Sequence, residues 1–287
     1  MTDTYSIQYF TRGKTYNLNG YDADHGLTLH YLGDQGFGLA PLHRITTRGP
    51  LQHGDSDIDF RLDPRILQIP LVVKNESASP KFNSYAIREA LLNIFRPQDV
   101  GVLSVVRSDG VTTHTRSIIV KVLGGLTFDV DPVDYHVRTV VQLRADDPTW
   151  YDDSTTSLIT AQANFGVSQS TSSAGNWQTF PSVFTVAGPV TTCRIENKTY
   201  PTAEKFIEVT GTIAAGTTYY FDLRYGYKTV HTGPNQTGTN VINLINPASD
   251  LATWAIYPGA NFVRITGTGL SAATLVSISW QNRYTGI

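Results

Sequence analysis

The chain has almost no sulfur: one cysteine, Cys193, and one methionine stand among 287 residues. A lone cysteine forms no internal disulfide and builds no cysteine zinc site. The fold therefore suits a reducing cytoplasm or is indifferent to redox state. The first residues, Met1-Thr2-Asp3-Thr4-Tyr5, lack the basic and apolar regions of a signal peptide. No run of about 18 apolar residues occurs, so no spanning helix is expected. Without a secretion signal, the glycosylation patterns at Asn75, Asn197 and Asn235 read as chance. A basic excess is also missing, with a formal net charge of -2 and a pI near 6.4. That argues against a general nucleic-acid binder, which carries a basic field.

Catalytic signatures are equally scarce. No two of the seven histidines lie three or four residues apart, so the HExxH zinc pattern is absent. Neither a GxSxG elbow nor a GxxxxGK phosphate loop occurs. Asp55-Ser56-Asp57-Ile58-Asp59 starts like a calcium loop, but Phe60 stands where glycine is required and no glutamate follows at the twelfth position. Asp146, Asp147, Asp152 and Asp153 could supply paired carboxylates for glycoside hydrolysis, but acids around a linker more simply keep it wet. Trp177, Trp254, Trp280, Tyr219-Tyr220 and Tyr225–Tyr227 could stack on sugars, and read better as core or interface. We assign no catalytic residue, no cofactor and no metal ligand.

What is present is mostly strand. Ile58, Phe60 and Leu62 alternate with Asp57, Asp59 and Arg61, which predicts one core face and one charged face. Asp55 joins the charged face, and so do Arg61 and Arg65, which partly cancel its field. Leu103 and Val105 lead to the turn Ser108-Asp109-Gly110, and the chain returns through Ile118, Val120 and Val122 as a hairpin. Gly124-Gly125 ends that hairpin. Tyr135, Val137, Thr139, Val141 and Leu143 then line one side of a long strand. One helix interrupts the pattern at Ser84–Phe95, where Ile87, Leu91, Ile94 and Phe95 recur at spacings of three and four. Ser84 is its expected cap and Pro97 its stop. Gly33–Gly54 reads as a long loop or arm, of the kind often functional.

The composition breaks at Asp146-Asp147-Pro148-Thr149-Trp150-Tyr151-Asp152. Beyond it, Thr, Ser, Gly, Asn and Tyr dominate and charges thin to about half their earlier density. This predicts domains at 1–152 and 153–287, each long enough for its own core. Seven short strands are expected in the second: Ser182–Val186, Thr192–Glu196, Phe206–Thr210, Thr218–Leu223, Asn240–Ile245, Phe262–Thr266 and Leu275–Trp280. Their number and spacing suggest a β-sandwich. The Ser/Thr-rich run Ser168–Gly175 reads as an exposed loop.

In order along the chain come Leu91-Leu92-Asn93-Ile94-Phe95-Arg96-Pro97, the Gly101-Val102-Leu103 strand, Gly124-Gly125-Leu126 and the Asp-Pro-Thr-Trp-Tyr-Asp junction. Ile195-Glu196-Asn197, Tyr257-Pro258-Gly259-Ala260-Asn261 and a terminal strand around Ser279-Trp280 follow. In this order and spacing the whole chain resembles the distal tail proteins of long-tailed bacteriophages. The resemblance implies a mainly β protein, with an N-terminal tail-tube-like β-barrel or sandwich carrying one helix and a C-terminal galectin-like β-sandwich outside it. It implies a homo-hexameric ring at the distal end of the tail, made in the host bacterial cytoplasm. Its partners would be the tail tube protein, the tail-tip hub protein and a receptor-binding protein. DNA would pass through without specific binding. Larger family members carry inserted sugar-binding modules, for which 287 residues leave no room. The alternative is a carbohydrate-binding module that adsorbs to the host cell wall; a wall glycosidase or peptidase stands third. If the first domain lines a channel, Asp55, Asp57 and Asp59 are the candidate lumen residues, since an acidic wall weakly repels DNA.

Overall fold

The computed structural model describes residues 4–33, 35–75, 83–108, 110–131, 136–199, 204–224 and 226–287. Asp109, Tyr135 and Tyr225, named above, lie outside them. The chain is mainly β and divides into two compact units. Unit 1 holds residues up to Asp152 together with Thr285–Ile287; unit 2 is Asp153–Tyr284. The terminal tripeptide thus belongs to the first unit rather than the second. Hydrogen bonds explain this: Ile287 N donates to Phe37 O at 3.2 Å, and the Arg116 guanidinium donates to Gly286 O at 2.9 Å.

Unit 1 is one large antiparallel sheet with a helix and a separate hairpin. Its strands are β1 (Thr4–Thr11), β2 (Lys14–Asn17), β3 (Gly20–Asp22), β4 (Leu27–Tyr31), β5 (Leu42–Thr47), β6 (Ser56–Leu62) and β7 (Arg65–Asn75). After helix α1 (Ser84–Ile94) come β8 (Val100–Ser108), β9 (Thr113–Gly125), β10 (Asp129–Asp131), β11 (His136–Ala145) and β12 (Trp150–Asp152). The main order is β2-β1-β8-β9-β11-β7-β4-β3. Its two ends, β2 and β3, come together, so the sheet is nearly closed like a barrel. Closure removes most open edges.

Alternation aims Ile7, Tyr9, Leu67, Ile69, Leu71, Leu103, Val105, Ile118, Val120, Val141 and Leu143 inward, all fully or almost fully buried. Helix α1 adds Ile87, Leu91 and Ile94 to that core. Its cap is Asn83 rather than Ser84: the Asn83 side chain accepts from Ala86 N at 3.1 Å. Gly101 is dictated by packing, because a Cβ there would sit 2.3 Å from the Tyr9 ring. Gly125 adopts φ +97°, and a Cβ would strike Val140 O at 2.2 Å, where the β9–β11 register slips.

Unit 2 is a two-sheet sandwich. One sheet runs β13 (Thr156–Ala161), β21 (Leu275–Trp280), β15 (Val183–Ala187), β18 (Thr218–Asp222) and β19 (Thr229–His231). The other runs β14 (Ser168–Ser173), β20 (Gly259–Thr268), β16 (Thr192–Asn197) and β17 (Lys205–Val209). Phe184, Phe221, Ile278 and Trp280 from the first meet Cys193, Ile195, Ile207 and Ile265 from the second, as facing sheets require. Two expectations fail here. Ser168–Ser173 is a strand, paired with Gly259–Arg264 along its length. Asn240–Ile245 is not a strand: the Asn240 side chain accepts from Ile242 N at 3.0 Å, which turns the chain into a short 3-10 helix at Ile242–Leu244.

Candidate assembly interface

Strands β5 and β6 pair only with each other and form an arm. Every residue of β5 is exposed, and all of β6 except Leu62. A lone two-stranded hairpin is marginally stable in water. This one nevertheless shows large apolar side chains to solvent: Leu42, Ile45, Ile58 (63% exposed), Phe60 and, at the tip, Leu51. Leu32 and Leu39 near its root are exposed too. Ile58 and Phe60 are therefore not core residues, as their alternation with acids suggested. The sequence alternates, but a slip in the pairing interrupts it in the strand, and no second layer covers the hairpin among the described residues. Several large apolar side chains exposed on one small hairpin suit a contact surface.

The arm is well formed despite its exposure. At the tip, Gly49 N donates to Gln52 Oε1 at 2.9 Å, and Gln52 Nε2 donates to Ser56 Oγ at 2.8 Å. Arg44 pairs with Asp57 at 2.7 Å, Arg48 with Asp55 at 3.5 Å and Arg61 with Asp63 at 3.3 Å. The three acids expected to share a face do not. The register slips between Ile45 and Thr46, so Asp59 lies opposite Ile45 while Asp57 lies opposite Thr46. Residues directly opposite share a face, and Ile45 and Thr46 point apart. Asp57 and Asp59 are thus on opposite faces. Asp55 and Asp57 are each neutralised by an arginine of the same hairpin.

The root is clamped. Arg65 is only 1% exposed, not a surface cation beside Asp59. Its guanidinium donates to Gly36 O at 2.7 Å, Gly38 O at 2.6 Å, Pro148 O at 3.0 Å and Thr285 O at 2.5 Å. It also lies 5.9 Å from the Trp150 ring centre. Burial pulls its pKa down to about 10. Phe37, between the two clamped glycines, packs on Trp150 at 5.3 Å between ring centres.

The other candidates are accounted for by structure. Asp146 pairs with both Lys121 and Arg144, at 3.3 and 3.0 Å. Asp147 accepts from Thr149 N and Oγ1 at 3.1 and 2.7 Å. Trp254 and Trp280 are fully buried in unit 2, which removes them as sugar platforms. A cleft of about 100 Å³ in unit 2 is lined by Tyr220, Asp222, Arg224, Thr229, His231 and Gln236. Burial alone would raise the Asp222 carboxyl, but bonds from Arg224 outweigh it and hold the pKa low. That carboxylate already accepts from Arg224 N, Nε and Nη2 and from Gln236, so it is no free base. Among the described residues no cluster of His, Cys, Asp or Glu is placed to hold a metal, and no helix is long and apolar enough to cross a membrane.

No protein-family model and no curated protein sequence matches the chain. Its fold is that of a solved structure, the SPP1 Dit (gp 19.1) protein, described as a paradigm of the hub adsorption apparatus in Gram-positive-infecting phages. The TM-score is 0.66 at 13% identity, over 96% of this chain and 98% of that one. A component of the phage P2 baseplate in its activated conformation with Ca aligns at TM-score 0.49 and 10% identity, over 97% and 98% of the two chains.

Proposed function

We propose that this chain is a structural, non-enzymatic subunit of a bacteriophage tail hub. It forms a closed homo-hexameric ring at the distal end of the tail, where the tube meets the tip. Unit 1 builds the ring around a passage for DNA, and unit 2 is a galectin-like sandwich. The observation that carries this reading is the end-to-end fold likeness to the SPP1 hub protein, spanning both units. The arm supports it independently, since a hairpin with large apolar side chains exposed needs a neighbouring surface. Different surfaces meeting head to tail close into a ring when the rotation permits. The tube and tip partners follow from the same position in the tail.

Electron micrographs of the purified protein, with light scattering, test this. Six chains of 31.5 kDa should give six-fold rings near ~189 kDa. Rings of another order would contradict the assignment. Cell-wall adsorption by unit 2 is a weaker reading, because the buried Trp254 and Trp280 cannot stack on sugars.

A further inference from the structure

The sandwich of unit 2 has four sheet edges, and they are treated differently. A sheet edge offers unpaired N–H and C=O groups to any extended chain. The edge at β17 is covered by a later loop: Thr210 N donates to Leu244 O, Asn246 N to Glu208 O and Asp250 N to Phe206 O, at 2.8–2.9 Å. The edge at β19 is covered likewise, with Val241 N donating to Val230 O at 2.9 Å and Thr232 N to Thr239 O at 3.0 Å. At the other end of each sheet stand β13 and β14. Among the described residues, β13 pairs only with β21 and β14 only with β20. The usual protections of an open edge are missing there. From Ser154 to Cys193 the chain holds no Asp, Glu, Lys, Arg or His, and its first proline is Pro181. Strand β14 reads Ser-Gln-Ser-Thr-Ser-Ser and is polar throughout. Strand β13 reads Thr-Ser-Leu-Ile-Thr-Ala, with Leu158 packed on the core and Ile159 60% exposed on the outer face. Its β-branched Thr156, Ile159 and Thr160 favour the strand state. An uncharged, β-prone strand with a free edge is a template for one more strand.

We propose that β13 pairs antiparallel with the β13 of a second copy across a two-fold axis, joining their two five-stranded sheets into one. Only another backbone satisfies a row of backbone donors and acceptors, so the occupant is an extended strand. Charge favours an identical one. A two-fold axis sets a strand against itself, and any charge near the axis would face its own copy and repel it. Strand β13 has no charge to set against itself. The pairing also has a preferred register. Residues directly opposite share a face, so the outward series Ser157, Ile159 and Ala161 meets itself. Placing Ile159 on the axis, opposite its own copy, puts Ser157 opposite Ala161 and Leu158 opposite Thr160. This register covers the one large apolar side chain that β13 exposes. The contact is isologous and lies in unit 2, so it neither needs nor replaces the head-to-tail contact of a ring. Where both form, pairs of rings result.

Charge placed on the axis tests the pairing, read by sedimentation and light scattering of the full chain. The parent should show pairs of 2 × 31.5 = 63 kDa, or of 12 × 31.5 = 378 kDa where six-membered rings pair. Ile159→Lys and Ile159→Asp change an exposed side chain and should melt like the parent. Each alone sets like charges opposite each other and should raise the concentration needed for pairing by at least about 10-fold. An equal mixture sets Lys opposite Asp and should recover the pairing. Ile159→Cys should form a disulfide-linked dimer under mild oxidation. Leu275→Cys, exposed on the same face but one strand further in, should not. The native thiol is silent, because Cys193 is fully buried. Charge variants that pair as well as the parent, a mixture that stays unpaired, or equal crosslinking of both cysteine variants would overturn the proposal. Rings of 6 × 31.5 = 189 kDa that never pair, with no crosslink through Ile159→Cys, would overturn it and leave the ring reading standing. A chain that stays at 31.5 kDa at every concentration, with no crosslink, would overturn both.

Discussion

Replacing Arg65 with methionine should loosen unit 1 and, with it, the arm. Methionine replaces the apolar stem but ends short of the guanidinium and has none of its five donors. Four carbonyl acceptors lose their partner: Gly36, Gly38, Pro148 and Thr285. A hydrogen bond from a charged group is worth about 1.5–3 kcal/mol net, so the four bonds set an upper limit of roughly 6–12 kcal/mol. Two effects cut into this. Burying the guanidinium is itself costly, as its lowered pKa shows, and the variant escapes that cost. Carbonyls near the root can also recover water as the loop relaxes. The expected net loss is therefore about 3–5 kcal/mol, the range seen when one partner of a buried charged set is removed.

The measurement is thermal or urea unfolding followed through Trp150, the one tryptophan of unit 1. For a unit of about 150 residues, 1 kcal/mol moves the midpoint by roughly 2–4 °C, so a fall of about 6–20 °C is expected. Arg65→Lys keeps the charge but not the planar fork, and should fall between parent and methionine variant. A loss under about 1 kcal/mol for Arg65→Met would show that the carbonyls are satisfied without the guanidinium, and the clamp argument would fail.

Three further outcomes follow from buried groups in unit 2. Alkylation of Cys193 should be slow in the native protein and should speed up in parallel with unfolding of unit 2, since burial raises its thiol pKa to about 12; rapid native labelling would contradict that burial. Burial lowers the Lys228 pKa to about 8, so between roughly pH 8 and 10.5 the unfolded chain holds a proton that the folded chain has released, and stability should rise with pH there. Lys228→Met should flatten that rise, by well under the limiting ~1.4 kcal/mol per pH unit because the side chain is only partly buried, and identical slopes would refute the assignment. Asn261→Ala should cost about 3 kcal/mol by urea denaturation, because the Asn261 side chain alone bonds Tyr257 N, Tyr257 O, Gly259 O and the Asn197 amide; a loss under about 1 kcal/mol would mean that the loop holds itself.

Some of this fold was legible because one local rule decided each element. The spacing of Ile87, Leu91 and Ile94 leaves only a helix, and the alternation of Val137, Thr139, Val141 and Leu143 only a strand with one buried side. Ser168–Ser173 was misread because its composition suggests a loop, while its strand state comes from pairing with β20, nearly a hundred residues away. The arm shows the deeper limit. Period-two alternation says that one face of Ser56–Leu62 is apolar; it does not say what covers that face. Nor does it reveal a slipped register, which moved Asp57 away from the face of Asp59. Arg65 is expected on the charged face because it continues the odd-numbered series of Asp57, Asp59 and Arg61, and no local pattern announces four backbone carbonyls converging from distant segments.

The clamp and the arm make sense together. A hairpin that projects from its parent sheet loses affinity for any partner in proportion to the freedom it must surrender on docking. Its apolar contacts are modest, since each half-exposed side chain still to be covered adds only about 1 kcal/mol. Such contacts suffice only if the arm leaves the body in one direction beforehand. Gly36 and Gly38 carry no side chains to fix that direction, so the fixing must act on their backbone. A planar, always-charged guanidinium reaching both carbonyls does this, with Phe37 between them locked on Trp150. Buried charge is an expensive device for stability alone. Its use at the root of an arm, where direction rather than strength is at stake, is what assembly of identical copies would require.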